Sequence, residues 1–223
     1  MITLDNVSVT KGGRTILKNI SLTIRGKRIG IIGHNGSGKS TFAKLLNGLE
    51  ECSAGEIRYN SSPIADQKIR ELVGFVFQNP DNQIVFPLVE EDIAFGLKKS
   101  GLIKSEIEVL VQEYLALFGL SHLNGRLTHE LSGGEKQLIA LIGVLIMKPQ
   151  YIVLDEPTTL LDLQNRSMLI KTLKKLEQTL IIVSHDLELM MEMDHIYLIH
   201  NNVIFAAGDP KSIIQTYRNL SEC

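Results

Sequence analysis

The chain has no tryptophan, and Phe, Trp and Tyr together make up 5% of its 223 residues. Proteins that grip single-stranded nucleic acid stack its bases on exposed rings, so this composition counts against that role. Positive charge is not in excess either: 23 Lys and Arg face 25 Asp and Glu, for a formal net charge of −2. A phosphate backbone is normally met by a basic surface, so no nucleic-acid partner is expected. There are two cysteines, Cys52 and Cys223. They form neither a disulfide framework nor a zinc spacing, which fits a reducing compartment. The longest apolar run, residues 138–147, has ten residues, about half of what a membrane-spanning helix needs. Residues 1–5 show no basic segment leading into an apolar core, so no signal peptide is expected. Any membrane role has to come through a partner.

What the chain does have is glycine in two informative places. Gly33-His34-Asn35-Gly36-Ser37-Gly38-Lys39-Ser40 follows a short apolar run, Arg28-Ile29-Gly30-Ile31-Ile32, and precedes Phe42, Leu45, Leu46 and Leu49 at helical spacing. This is strand, glycine loop, helix, the context that G-x-x-x-x-G-K-[ST] requires of a phosphate loop. Glycines let backbone N–H groups wrap phosphate oxygens, and the helix N-terminus adds positive potential. The candidate nucleotide contacts are Gly33, His34, Asn35, Gly36, Ser37, Gly38, Lys39, Ser40 and Thr41. Lys39 can reach the β- and γ-phosphates, and Ser40 can ligate Mg²⁺. The bland alternative is an ordinary glycine turn.

A second glycine turn, Leu131-Ser132-Gly133-Gly134-Glu135, opens another helix with the Ser-x-x-Glu spacing of a capping box. It reads either as a second anion site, through Ser132, Gly133 and Gly134, or as a well-capped helix and nothing more. After it, Tyr151-Ile152-Val153-Leu154-Asp155-Glu156 is a buried-strand pattern ending in two acids. Asp155 is placed to hold Mg²⁺, and Glu156 to polarise an attacking water. The alternative for such a pair is a solvated turn.

Along the chain, residues 1–25 read as strands with turns, and Val73-Gly74-Phe75-Val76-Phe77-Gln78 as another strand. Between residues 79 and 148 the pattern is mainly helical, with Ile107, Leu110, Val111, Tyr114, Leu115 and Phe118 on one helix face. Further helices are expected at 90–97, from 132 to about 147 and at 163–178, with a strand at 180–184. Residues 196–200 and 203–207 flank Asn201-Asn202, a hairpin turn signal. The expected fold class is α/β: a nucleotide-binding core with an antiparallel β subdomain and an inserted α-helical subdomain. The chain forms one domain, 1–223, with core 1–78 plus 149–223 and helical part 79–148.

Taken together these motifs resemble the ATP-binding-cassette (ABC) ATPases, a P-loop NTPase family, over nearly the whole chain. The resemblance implies Mg-ATP hydrolysis between two cassettes packed head to tail, either a homodimer or a pair with a paralogous ATPase. Each ATP would lie between the first cradle of one copy and the LSGG turn of the other. It implies that Gln78 is the Q-loop glutamine sensing Mg²⁺ and the γ-phosphate, that His185 in Val183-Ser184-His185-Asp186 is the switch histidine, and that Asp162 is the D-loop aspartate. The implied catalytic set is therefore Glu156, His185, Gln78 and Lys39, and the metal set Ser40, Gln78 and Asp155. Three departures stand out: Leu160 where the family has a small residue, Glu135 for Gln, and Thr10 and Lys11 where an aromatic stacks on adenine. The last predicts weak base discrimination.

The stretch Gln78-Asn79-Pro80-Asp81-Asn82-Gln83, followed by Val89-Glu90-Glu91-Asp92-Ile93-Ala94-Phe95-Gly96, is similar to the ATPases of energy-coupling-factor (ECF) importers, which take up vitamins and transition metals. That likeness implies a membrane scaffold protein docking beside the Q-loop, a separate substrate-binding membrane protein, and a peripheral position on the cytoplasmic face. Ile84, Val85, Phe86 and Leu88 would serve that contact or pack in the subdomain core. The length favours the compact biotin- or cobalt/nickel-type ATPases, with biotin first. A soluble ABC ATPase of DNA repair or translation is the competing class, and a binding module without turnover a third. The coiled-coil insertions and second cassette of the former are absent, and the residues for turnover are present.

Overall fold

The computed structural model describes residues 1–60, 62, 63, 69–98 and 100–221, with 62 and 63 described by backbone alone. Cys223 lies outside them; Cys52 is a half-exposed free thiol. In chain order the elements are β1 (Ile2–Lys11), β2 (Arg14–Ile24), β3 (Arg28–Gly33), α1 (Lys39–Asn47), β4 (Ala54–Tyr59), β5 (Ser62–Pro63), α2 (Ile69–Leu72) and β6 (Val73–Val76). Then come α3 (Val89–Phe95), α4 (Lys104–Leu117), α5 (Gly133–Leu145), β7 (Tyr151–Asp155), α6 (Leu163–Lys175), β8 (Thr179–Val183), α7 (Leu187–Met190), β9 (His195–His200), β10 (Val203–Gly208) and α8 (Pro210–Ser221).

The chain divides into two compact units. The first comprises Met1–Phe75, Gln150–Glu156 and Glu177–Cys223; the second comprises Val76–Pro149 and Pro157–Leu176. The first unit holds two sheets. One is antiparallel, in the order β2-β1-β4-β5. Its central strand β1 turns Ile2, Leu4, Val7 and Val9 inward, all 2% exposed or less.

The other sheet runs β10-β9-β3-β8-β7-β6. Strands β9, β3, β8 and β7 are mutually parallel. Parallel strands covered on both faces should be apolar throughout, and Ile152, Val153, Leu154, Leu180, Ile181, Ile182 and Val183 are all fully buried. Each such side chain contributes about 1.5–3 kcal/mol of burial, and together they fix the strand register. Residues Ile31, Val183 and Asp155 pair in sequence across β3, β8 and β7. The hairpin β9–β10 turns through Asn201 and Asn202, both at positive φ (48° and 67°), as a two-residue turn of this hand requires.

In the second unit α5 is the buried helix: Leu138, Ile139, Ala140, Leu141 and Ile142 are each at most 1% exposed. Helix α4 buries Val111 and Leu115 on the face expected from their spacing. Ser132 caps α5 and Asp162 caps α6, each accepting a hydrogen bond from the backbone N–H three residues on.

Candidate nucleotide and hydrolysis site

The carboxyl ends of β3, β7 and β8 carry the chemistry, the usual place for a ligand on an open parallel sheet. From β3 the chain enters the glycine loop. A Cβ on Gly33 would fall 2.3 Å from the Ile199 carbonyl oxygen, and one on Gly38 would fall 2.8 Å from that of Ile16 at φ +101°. Glycine is required at both places by close approach, and at Gly38 by the left-handed backbone as well. The Ser37 hydroxyl is buried with no partner among the described residues. His34, half-buried, lies beside Tyr217 of α8 and His200 of β9, with ring centroids 5.1 and 5.9 Å away. Asn35 and Gly36 are exposed, and Thr41 is half-buried in α1.

Lys39 Nζ donates to the carbonyls of Gly33 (2.8 Å) and His34 (2.9 Å). An ammonium has three N–H groups, so one remains for a phosphate. Burial holds its pKa below the ordinary lysine value, while the carboxylates of Glu156 and Asp155 pull the other way. Ser40 Oγ donates to Asp155 Oδ1 at 3.1 Å. Burial raises the Asp155 carboxyl above its usual range; the Ser40 hydrogen bond opposes this and the Glu156 charge adds to it. A buried, costly carboxylate beside a hydroxyl suits a hard cation. Among the described residues no group of three or more His, Cys, Asp and Glu could hold a metal. A cation on Ser40 and Asp155 would therefore take its other ligands from phosphate and water, as Mg²⁺ does.

The ladder continues one residue past the strands. Glu156 N–H donates to Val183 O (2.8 Å) and Ser184 N–H to Ile31 O (3.2 Å). This sets Glu156 and Ser184 side by side. Glu156 sits at φ +50°, a backbone region costly for a non-glycine residue and tolerated where surrounding structure imposes it. Its Oε2 accepts from Ser184 Oγ (3.2 Å) and from His185 N–H (3.3 Å), and lies 2.8 Å from His185 Nδ1. The His185 side chain is 61% exposed and that of Glu156 9%. Ser184 was not singled out from the sequence. Its only signal there is a small hydroxyl between an apolar strand and a histidine.

The remaining candidates belong to the second unit. Gln78 is exposed at the bend after β6. Ser132 and Glu135 form the full capping box: Ser132 Oγ accepts from Glu135 N–H (3.3 Å), and Glu135 Oε2 accepts from Ser132 N–H (2.8 Å). These bonds with Ser132 hold the Glu135 carboxyl below its usual range. A Cβ on Gly134 would fall 3.0 Å from Asn165 Nδ2, and one on Gly133 3.9 Å from Leu160 Cβ. The glycine turn thus packs against the segment that carries Asp162, whose exposed carboxylate accepts from Asn165 N–H (2.7 Å). Lys39, Ser40, Asp155, Glu156 and His185 are brought together in the first unit, and Ser132, Gly133, Gly134 and Asp162 in the second.

Residues 17–159 match the family model for ABC transporters. The chain belongs to the ABC transporter ATP-binding family. This ABC ATPase is 44% identical over 221 residues to the biotin transport ATP-binding protein BioM of Rhizobium etli, with 99% of each chain covered. It is 41% identical to the energy-coupling factor transporter ATP-binding protein EcfA1 of Caldanaerobacter subterraneus, over 93% of this chain and 78% of that one. Among solved structures, cbiO1 from Clostridium perfringens, part of the ABC transporter complex cbiONQ, superposes with a TM-score of 0.84 at 32% identity, covering 99% and 93% of the two chains. The ATP-binding cassette MJ0796, in a dimeric post-hydrolysis state bound to ADP and Pi, gives 0.85 at 26% identity over 94% and 99%. The ABC ATPase fold expected from the motifs is the one observed. The enzyme activity is ATP hydrolysis coupled to transport.

Proposed function

We propose that this ABC ATPase is the motor subunit of an ECF-type importer, with biotin as the favoured cargo and cobalt or nickel next. The observation that carries the reading is the 44% identity, over 99% of both chains, to a protein named for biotin transport. The likeness to cbiO1, part of the ABC transporter complex cbiONQ, supports the broader reading of a transport motor at 32% identity.

In this reading Lys39 and the loop from Gly33 to Thr41 hold the ATP phosphates, and Ser40, Asp155 and Gln78 hold Mg²⁺. The cation, when bound, neutralises charge developing on the transferred phosphoryl group. Glu156 Oε1, which accepts no hydrogen bond among the described residues, takes the proton of the attacking water. His185 and Gln78 touch the γ-phosphate. Two copies close on two nucleotides, with Ser132, Gly133 and Gly134 of one completing the site of the other and Asp162 at the contact. The dimeric form of the solved MJ0796 cassette supports that arrangement. The likeness to ATPases of energy-coupling-factor transporters supports a peripheral position on membrane partners at the cytoplasmic face; among the described residues no helix is long and apolar enough to cross a membrane.

The docking surface is a groove of about 1250 Å³ in the second unit, lined by Phe86, Ala94, Ile107, Val111 and acidic residues including Glu90 and Glu91. Lys98 Nζ lies over Phe86 at 4.4 Å, and Val85 is 73% exposed. Phe86 is half-exposed on this wall, which supports the partner-helix contact over burial in a core. The test is co-purification of the membrane partners from the native host, followed by uptake of labelled biotin into vesicles holding the complex. ATP-dependent biotin uptake is expected. Uptake of cobalt or nickel in its place would move the cargo to the second reading, and recovery of the chain with neither membrane partner would overturn the assignment.

A further inference from the structure

Two stretches are only partly absorbed by the hydrolysis site: the tail of the Gln78–Gln83 run, and the two residues that follow the glycine turn Leu131–Glu135, Lys136 and Gln137. The structure stitches these tails to each other. Phe77, the residue before Gln78, has both backbone polar groups bonded to glutamine side chains. Its N–H donates to Gln83 Oε1 (3.2 Å), and its carbonyl accepts from Gln137 Nε2 (3.2 Å). Gln137 is on α5, and Gln83 Nε2 donates to the Ala140 carbonyl of the same helix (2.8 Å). A third tether joins Lys136 Nζ to Asp81 Oδ1 at 2.7 Å. Asn79 Oδ1 accepts from Asp81 N–H (3.0 Å), and Pro80 O accepts from Ile84 N–H (2.9 Å), which keeps the intervening turn closed.

Gln137 is 2% exposed, and its Oε1 is buried with no partner among the described residues. A buried, half-satisfied amide is unfavourable where an apolar side chain of like size would fit. What Gln137 supplies in return is one donor, and that donor holds the peptide in front of Gln78. It stands one helical turn after Gly133, so a shift of the glycine turn along or about the α5 axis is carried to Phe77 by a short rigid path.

We propose that Gln83 and Gln137 are positioning residues that lock the Gln78 segment to the glycine-turn helix, so that Gln78 and Ser132 engage nucleotide as one body. The inference rests on the reading that Gln78 and Ser132 both touch nucleotide. Neither clamp residue touches it. Their loss leaves the first phosphate cradle intact and desynchronises the two contacts.

The test is steady-state ATP hydrolysis by the full chain, with nucleotide affinity measured separately by titration with a non-hydrolysable ATP analogue. Gln137→Met keeps the side-chain volume and removes the donor. Its kcat should fall about tenfold while analogue affinity changes by less than about twofold and the melting temperature holds or rises. A merely structural glutamine would move stability and leave kcat alone. Turnover equal to that of the parent protein would overturn the proposal. If Gln137→Met folds poorly, the Asp81–Lys136 tether decides. Asp81→Lys and Lys136→Asp should each lower kcat by about threefold, and the double swap should restore most of it. Singles without effect, or a swap that fails to restore turnover, would overturn the proposal. Failure of the underlying reading looks different: Ser132→Arg and Gln78→Ala would then leave turnover unchanged.

Discussion

Glu156 Oε2 lies 2.8 Å from His185 Nδ1 and accepts two further donors, Ser184 Oγ and the His185 N–H. Its other oxygen accepts none among the described residues. A carboxylate with one oxygen saturated and the other open has a defined direction in which it can take a proton. Ser40 and Asp155 form their own pair alongside it. The two adjacent acids therefore have separate partners and separate tasks.

Glu156→Gln should preserve ATP binding, trap an ATP-bound dimer and lower turnover by a factor on the order of a hundred or more. Size-exclusion chromatography with Mg-ATP and a single-turnover assay check this together. Turnover like that of the parent protein would remove Glu156 from the proton-accepting role.

Ser184→Ala removes one of the donors on Oε2 without touching the open oxygen. We expect kcat to fall about tenfold with KM for ATP nearly unchanged, because the lost interaction acts on the aim of the carboxylate and not on ATP binding. Ser184→Thr keeps the hydroxyl and should recover most of the loss. A rise in KM at constant kcat would instead assign Ser184 to nucleotide binding.

Gly33→Ala places a methyl 2.3 Å from the Ile199 carbonyl and 2.7 Å from Ser37 Oγ. Strand β9 cannot retreat without breaking its ladder with β3. The variant should lose about 2–4 kcal/mol of stability and most nucleotide affinity. Thermal melting with and without Mg-ATP measures both effects.

Lys11 stands where the family resemblance implies an aromatic under adenine, and it is held in an ion pair with Glu50. An ammonium offers no ring face to discriminate purines. ATP and GTP at equal concentration should be hydrolysed within about threefold of each other, and Lys11→Tyr should raise the preference for ATP. A strong ATP preference in the unaltered protein would contradict the expectation.

Phe86→Asp introduces a charge into the apolar wall of the groove on the second unit. The isolated protein should melt within a few degrees of the parent, because Phe86 is half-exposed and a surface change costs little. Co-purification with the membrane partners should be lost. Undiminished co-purification would place the docking surface elsewhere.

Much of the architecture was legible because it is written locally. The run Arg28–Gly33 is apolar on both faces, the glycines follow, and α1 begins at Lys39, as the motif requires. The two asparagines at 201 and 202 adopt the left-handed conformation that their hairpin demands. Helix ends were less legible. The helix begun by Ser132 stops at Leu145 rather than 147, and α6 ends at Lys175 rather than 178, because helix ends fray and their last turn departs from α geometry, which the apolar spacing does not record. Strand β4 and helix α8 gave no clear signal. β4 is defined by its antiparallel pairing with β1, and α8 buries only Ile213 and Ile214.

The sequence alone determined which chemistry is possible. Glycines at 33, 36 and 38 before Lys39, two acids at the end of an apolar strand, and a serine-capped glycine turn are short-range facts, set by backbone sterics and capping within a few residues. Only the tertiary structure decided which oxygen of Glu156 is occupied, since its hydroxyl donor comes from 28 residues further along the chain. It alone decided that Gln137 would hold the carbonyl of Phe77, 60 residues earlier. Such bonds form where burial of separate strands and helices fixes their register, and no local propensity encodes that register.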